Sequence, residues 1–327
     1  MRIKEFFARL KPEGFRFEPA QLVLFIYIML LFSRFVIAGI DEGTNQYLAI
    51  VILQLLTFVI PAALWYRIRS TRRFALDPQK RIRYIRRLRF APPRARHALI
   101  IVAAIIALIA GCLLFSINFE GKSSFEGNFT LYDTFAAKKD GTALTALGLL
   151  LAYAVLPAVC EEIVFRGILC AEYEGSGVIC SFALSTVWFA LLHFDPEKLL
   201  SYLFAGAVLA ALLYATRSVW ACVIAHFVYN LFGIFGQQYI TEFYITAGSI
   251  GIFIFIMITL LLLSAAVFCG QASRLYRRYS EKDAPSDYRE PHTKEEILAS
   301  FVSMLKTPAT AICLVLWIAA VIIMAII

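Results

Sequence analysis

The sequence predicts an all-α, polytopic transmembrane helix bundle of about eight to nine spans. Three observations carry this. Of 327 residues, 61% are hydrophobic and 17% charged, against roughly 45–50% and about 25% in a soluble domain. The mean hydropathy of +0.75 is too high for a buried core alone and suits a surface that faces lipid. Apolar runs of about 20 residues, enough to cross a hydrocarbon core of about 30 Å, recur along the chain.

The runs fall at about 20–40, 45–66, 98–117, 144–160, 178–194, 197–215, 218–235, 246–269 and 308–327. The first three, the eighth and the last are uninterrupted. The fourth to seventh are shorter and carry polar residues, as helices do when they face other helices or a cavity. The first run is too long for a signal-peptide core and is read as an anchor. The chain then divides into an N-terminal region (1–143), a central region (144–245) and a C-terminal region (246–327).

Charge sets the expected orientation. Residues 67–97 hold twelve Lys/Arg against the single acid Asp77, so this loop is expected in the cytoplasm. Counting spans outward puts residues 1–19 and 270–307 there too. The loop with Asp41 and Glu42, and residues 118–143 with four acids and three lysines, fall outside. The pattern fits a multi-pass protein of a bacterial plasma membrane with a cytoplasmic N-terminus. A re-entrant segment among spans five to seven would break the alternation. Within 67–97, arginines interleave with Phe74, Ile82, Tyr84, Ile85, Leu88 and Phe90. This is either a basic amphipathic helix on anionic lipid or simply a topology-setting loop. The net charge of +8 is explained by these loops, and nucleic acid is not an expected partner. The seven cysteines form no C-x-x-C pair and read as small apolar helix residues. The sequon Asn128-Phe129-Thr130 falls on the outer side.

Ionisable groups at membrane depth are costly and functional by default. Glu161, Glu162 and Arg166 follow the fourth apolar run, and His193 and His226 lie in apolar helices, with Asn230 one turn after His226. Glu162 and Arg166 are spaced i,i+4 and can pair, with Glu in the favoured N-terminal position. Glu161 points about 100° away. His226 and Asn230 share a face. Pro157 breaks the helix ladder one turn before Glu161 and is expected to kink it. Each feature has an ordinary alternative: a structural ion pair, a hydrogen-bonded helix contact, an interhelical amide. Together they supply a general base, a water ligand and oxyanion donors.

Glu161-Glu162-x-x-x-Arg166, then Phe189-x-x-x-His193, then His226-x-x-x-Asn230, each at a membrane segment, resemble the CPBP family, the CAAX proteases and bacteriocin-processing proteins also called Abi. The resemblance covers roughly 144–235, with the first motif as E-E-I-V-F-R-G. The last span looks like an addition to that family's core of about eight helices. The resemblance implies an intramembrane endopeptidase acting on a membrane-associated protein or peptide, in some members a prenylated CaaX end. It implies Glu161 as base, His193 as holder of the attacking water, and His226 and Asn230 as oxyanion donors. Glu162 and Arg166 would orient and neutralise the site. The family has been described both as metal-dependent and as glutamate-type. Glu161, His193 and His226 would be the ligands if a Zn2+ is bound. Two other readings stay open, a catalytically silent scaffold or immunity factor and a proton-coupled transporter. The chain lacks the paired broken helices that point to a secondary transporter.

Overall fold

The computed structural model describes residues 18–39, 46–72, 78–116, 143–236, 249–281 and 293–326, with a few isolated positions between 239 and 246. Loop 118–142 with its sequon, the acidic pair Asp41–Glu42, residues 1–17, Phe74, Asp77 and His292 lie outside the described residues. The helices in order are α1 (Pro19–Ala38), α2 (Gln46–Arg72), α3 (Pro78–Arg87), α4 (Ala98–Phe115) and α5 (143–173), then α6 (Val178–Leu191), α7 (Leu199–Thr216), α8 (Val219–Phe235), α9 (Ile250–Glu281), α10 (Lys294–Leu305) and α11 (Pro308–Ile326). No strand occurs among the described residues, and the chain is a multi-pass helical membrane protein.

Each expected span is a helix, but their lengths differ in a telling way. Six are long and apolar enough to cross a membrane alone, and a seventh is gained if α10 and α11, bent by 62°, count as one. The two short ones, α6 with 14 residues and α8 with 17, reach only about 21 and 26 Å at 1.5 Å per residue. They are the helices that lead to His193 and carry His226. Large apolar side chains such as Phe35, Phe255 and Val315 are more than 60% exposed, as a lipid-facing surface requires.

Two helices run past the ends that hydropathy suggests. Hydropathy closes the fourth span near Cys160. Instead α5 continues to Tyr173, so Glu161, Glu162 and Arg166 stand near the middle of a span from Leu147 to Ser176. Their charges meet partners inside the protein and so do not end the helix. Likewise α9 continues to Glu281, through residues expected to begin a loop. Helix α5 is widened twice, into π turns at Leu151–Val155 and Ile163–Leu169. The first lies directly before Pro157, whose missing N–H breaks the ladder there. Around the second, Ser185 of α6 donates to the Phe165 carbonyl and Ser181 to that of Cys170, both at 2.9 Å. These bonds serve α5 carbonyls that lipid could not.

One end of the bundle is basic. There Arg69 pairs with Glu172 and Arg89 with Glu174, tying α2 and the strap after α3 to the end of α5. The Arg89 carbonyl accepts from Val219 N, and the Phe90 and Ala91 carbonyls accept from Trp220 and Ser218, so the same strap caps α8. Tyr279 of α9 sits under Arg96 and Arg217. At the opposite end, Arg34 of α1 donates to the His193 carbonyl at 2.8 Å. Within the 67–97 loop, read either as a basic amphipathic helix or as a topology-setting loop, the chain forms the short basic helix α3. It leaves Ile82 and Ile85 exposed while Leu88, just beyond it, is buried.

Helix α7 packs tightly against α6 at Gly206. A Cβ there would stand 3.2 Å from the Phe189 ring, from the Thr186 methyl and from the Thr186 carbonyl oxygen. Gly206→Leu is therefore expected to lower the melting temperature in detergent, by overpacking worth about 1–3 kcal/mol. Gly270→Ala, where nothing lies within 4 Å, is expected to leave it unchanged or slightly raised. Equal melting of the two variants would show that the close approach does not hold α6 to α7.

Candidate active site

The site is assembled from three places on the chain. Helix α5 presents Glu161, Glu162 and Arg166 in the turn where it begins to widen. His193 stands just beyond the last turn of α6. Helix α8 presents His226 and, one turn on, Asn230.

Glu162 joins two of these places through one atom. Its Oε1 accepts from Arg166 Nη1 at 2.9 Å and from His226 Nδ1 at 2.9 Å. Glu162 and Arg166 are fully buried and His226 nearly so. A carboxylate only accepts, so His226 carries a proton on Nδ1. Arg166 Nη2 donates further to the Gly206 carbonyl at 3.2 Å, which brings in α7. Glu162 Oε2, Arg166 Nε and Glu161 Oε2 are buried without a hydrogen-bond partner among the described residues. Such orphaned polar atoms are costly in a dry interior, and three of them together mark a place suited to receive a polar molecule.

Phe189 is the packing centre. The Arg166 guanidinium lies 4.2 Å from its ring centroid, a cation–π geometry. His193 lies at 5.2 Å, His226 at 5.8 Å and Phe165 at 5.6 Å, each edge-on. One ring thus spaces both histidines and the arginine. His193 Nδ1 donates to the Phe189 carbonyl at 3.0 Å. A carbonyl cannot donate, so the neutral ring leaves Nε2 as an acceptor. The imidazole also stacks on Tyr202 of α7, with centroids 3.8 Å apart and planes 14° from parallel. The turn that follows is held in an unusual conformation. Phe194 has φ of 51°, and its buried ring packs edge-on to Tyr27 at 5.1 Å, under the Arg34 guanidinium.

Asn230 faces a cavity of about 250 Å³ shared with Tyr202, Ser201, Lys198, Tyr153 and Tyr229. The six sequence-predicted residues are therefore related unequally. Glu162, Arg166 and His226 are directly bonded, and His193 joins them through Phe189. Asn230 is reached through the cavity and Tyr202. Glu161 is set beside the cluster by its place before Glu162 and keeps an unbonded oxygen. Among the described residues no three His, Cys, Asp or Glu side chains converge to hold a metal ion. Glu161, His193 and His226 thus do not stand together as the donor set that the zinc alternative requires.

Sequence reasoning did not single out Tyr202, Gly206, or the structural part of Phe189 beyond its place in the motif. A signal existed for two of them. Gly206 lies in the small-residue run Ala205-Gly206-Ala207 that lets helices touch, and Tyr202 is one turn past Lys198 at the start of an apolar helix. Nothing in the sequence marks which face of α6 Phe189 occupies.

Comparison with known proteins bears on the same region. Residues 143–232 match the family model described as Rce1-like, type II CAAX prenyl endopeptidase Rce1-like. Over 84 residues the chain is 32% identical to "Putative membrane peptidase YdiL" of Bacillus subtilis (strain 168), a match covering 25% of this chain and 34% of that protein. The matched part thus spans about a third of that curated relative's length. No solved structure matches the chain.

Removing one partner from a buried ion pair strands the other. Arg166→Met is expected to cost about 3–5 kcal/mol, read as a lower unfolding midpoint in detergent. The double variant Glu162→Gln/Arg166→Met is expected to recover part of that loss. If the double variant were as unstable as the sum of its single changes, the two groups would be uncoupled.

Proposed function

We propose, on the premise that residues 143–232 form a domain of the CPBP family of CAAX-type membrane proteases, that this chain is an intramembrane endopeptidase. It hydrolyses a peptide bond of a membrane-associated polypeptide, a prenylated CaaX end being one such substrate. The observation that carries this reading is the sharing of Glu162 Oε1 by Arg166 and His226. It commits Glu162 to structure and leaves its half-buried neighbour Glu161 with one buried, unbonded oxygen.

In this reading a water held between Glu161 Oε2 and His193 Nε2 attacks the scissile carbonyl carbon. Glu161 takes the water's proton, a contribution of about 10²–10⁴-fold for a well-placed base. The proton then passes to the leaving amine as the C–N bond breaks. Asn230 donates from its amide to the oxyanion. His226 is held by its Nδ1–H bond to Glu162, so its Nε2 donates only while the ring carries both protons. Glu162 and Arg166 position that ring rather than react. Every step uses side chains of this chain.

Purified wild type and Glu161→Gln are compared on farnesylated CaaX peptides and apolar membrane peptides, with and without a zinc chelator. Cleavage by wild type alone, unchanged by the chelator, is expected. Equal cleavage by both proteins would remove Glu161 from the site. Asn230→Ala is expected to slow turnover about 10²–10³-fold, as loss of one oxyanion donor does, with the melting temperature kept. Unchanged turnover would take Asn230 out of that role.

A further inference from the structure

Helix α3 and the strap that follows it contribute no side chain to the candidate site, yet they are densely charged. Residues 78–97 hold eight Lys/Arg and no Asp or Glu. The segment lies at the edge of the membrane. The span of α2 closes at Arg69 and the next span opens at Ala95, so α3 sits between two crossings. Its faces differ. Tyr84, about 200° around the helix from Ile82, packs on the hydrophobic core. Ile82 and Ile85, one turn apart on another face, are 54% and 46% exposed. Arg86 beside them is exposed, as is Arg94 on the strap. Arg86, Arg87 and Arg94 have no carboxylate partner among the described residues, whereas Arg89 pairs with Glu174.

The segment is tied firmly to the bundle. Arg89, at φ of 54°, turns the chain out of α3, and its guanidinium lies 5.1 Å from the Tyr214 ring centroid. The Phe90 ring meets α5 at Gly167, where a Cβ would stand 3.4 Å from it. The carbonyls of Arg89, Phe90 and Ala91 accept three hydrogen bonds from the start of α8. Phe90, Trp220 and Leu99 at the head of α4 are nevertheless exposed. Apolar side chains and cations thus share one fixed surface where the chain enters the bilayer. A loop that only sets topology needs the cations and not the isoleucines. We propose that α3 and its strap form a docking face for acidic phospholipid. Ile82 and Ile85 enter the acyl boundary, and Arg86, Arg87 and Arg94 meet the phosphates. A zwitterionic lipid would cover the apolar face and leave the cations uncompensated. The docking face does not depend on the protease reading.

Six of the seven cysteines are buried and Cys269 is exposed, so Cys269→Ser serves as the parent for a fluorescence test on the whole chain. A bimane label is placed at Ile85→Cys on α3 or at Leu262→Cys within α9, both exposed positions. The protein is reconstituted in vesicles of phosphatidylcholine with a minority of phosphatidylglycerol, and the quenching bromines are carried on the acyl chains of one lipid or the other. At Ile85→Cys, quenching by brominated phosphatidylglycerol is expected to exceed that lipid's share of the vesicle. At Leu262→Cys it is expected to follow the share. Arg86→Gln/Arg87→Gln is expected to lower the preference about fivefold for each cation removed. Added salt is expected to lower it with no substitution at all, so the outcome does not hang on how the variant folds. Quenching at Ile85→Cys that merely follows the lipid share overturns the docking face, and so does a preference unmoved by salt or by the arginine changes. An equal preference at Leu262→Cys would ascribe it to the charge of the whole protein and overturns it too. No quenching by either lipid at Ile85→Cys would put this face in water or against another protein, and also overturns it.

Discussion

One carboxylate oxygen, Glu162 Oε1, bonds a guanidinium on its own helix and an imidazole on another at 2.9 Å each. In a medium that offers no water, a buried carboxylate is tolerable only with such partners. The position of α8 against α5 follows from this need, and so does the orientation of His226. Arg166 in turn reaches the Gly206 carbonyl of α7. Three helices are thus registered by a single charge-balancing requirement. The same requirement sets two adjacent carboxylates apart. Glu162 is committed to structure, while Glu161 keeps an orphaned oxygen.

Phe189 complements this polar node with shape. A flat ring can meet a cation on its face and imidazoles at its edge without competing for hydrogen bonds. It spaces Arg166, His193 and His226 while leaving their bonding atoms directed elsewhere. The π turns of α5 belong to the same design. The helix is widened at Ile163–Leu169, around Arg166, and serines of α6 donate to the α5 carbonyls there.

Much of this is legible in the sequence. The apolar runs foretell each spanning helix, because lipid imposes a length and a composition that few other environments do. The motifs pick out Glu162, Arg166 and His226, which the structure bonds together, since charge at membrane depth needs a partner. The helix ends are less legible. Hydropathy reads charged residues as exits and so closes the fourth span at Cys160, whereas Glu161, Glu162 and Arg166 lie mid-helix, where Glu162 and Arg166 are balanced by each other and by contacts distant in sequence. The clamps on Glu172 and Glu174 are illegible for the same reason: pairing with Arg69 and Arg89 depends on how helices meet, which no local pattern encodes. Phe189, Tyr202 and Gly206 take their places through packing alone.

The shortness of α6 and α8 has a consequence for the lipid around them. At about 21 and 26 Å they fall short of a hydrocarbon core of about 30 Å. Mismatch of this kind is relieved by thinning of the adjoining bilayer, at a fraction of a kcal/mol per ångström. Thinning beside the two helices that bring the histidines would draw the water boundary inward on their flank. Hydrolysis needs water where a membrane normally withholds it, and truncated helices beside the site bring the water boundary and the chemistry closer together without lengthening any path through the protein.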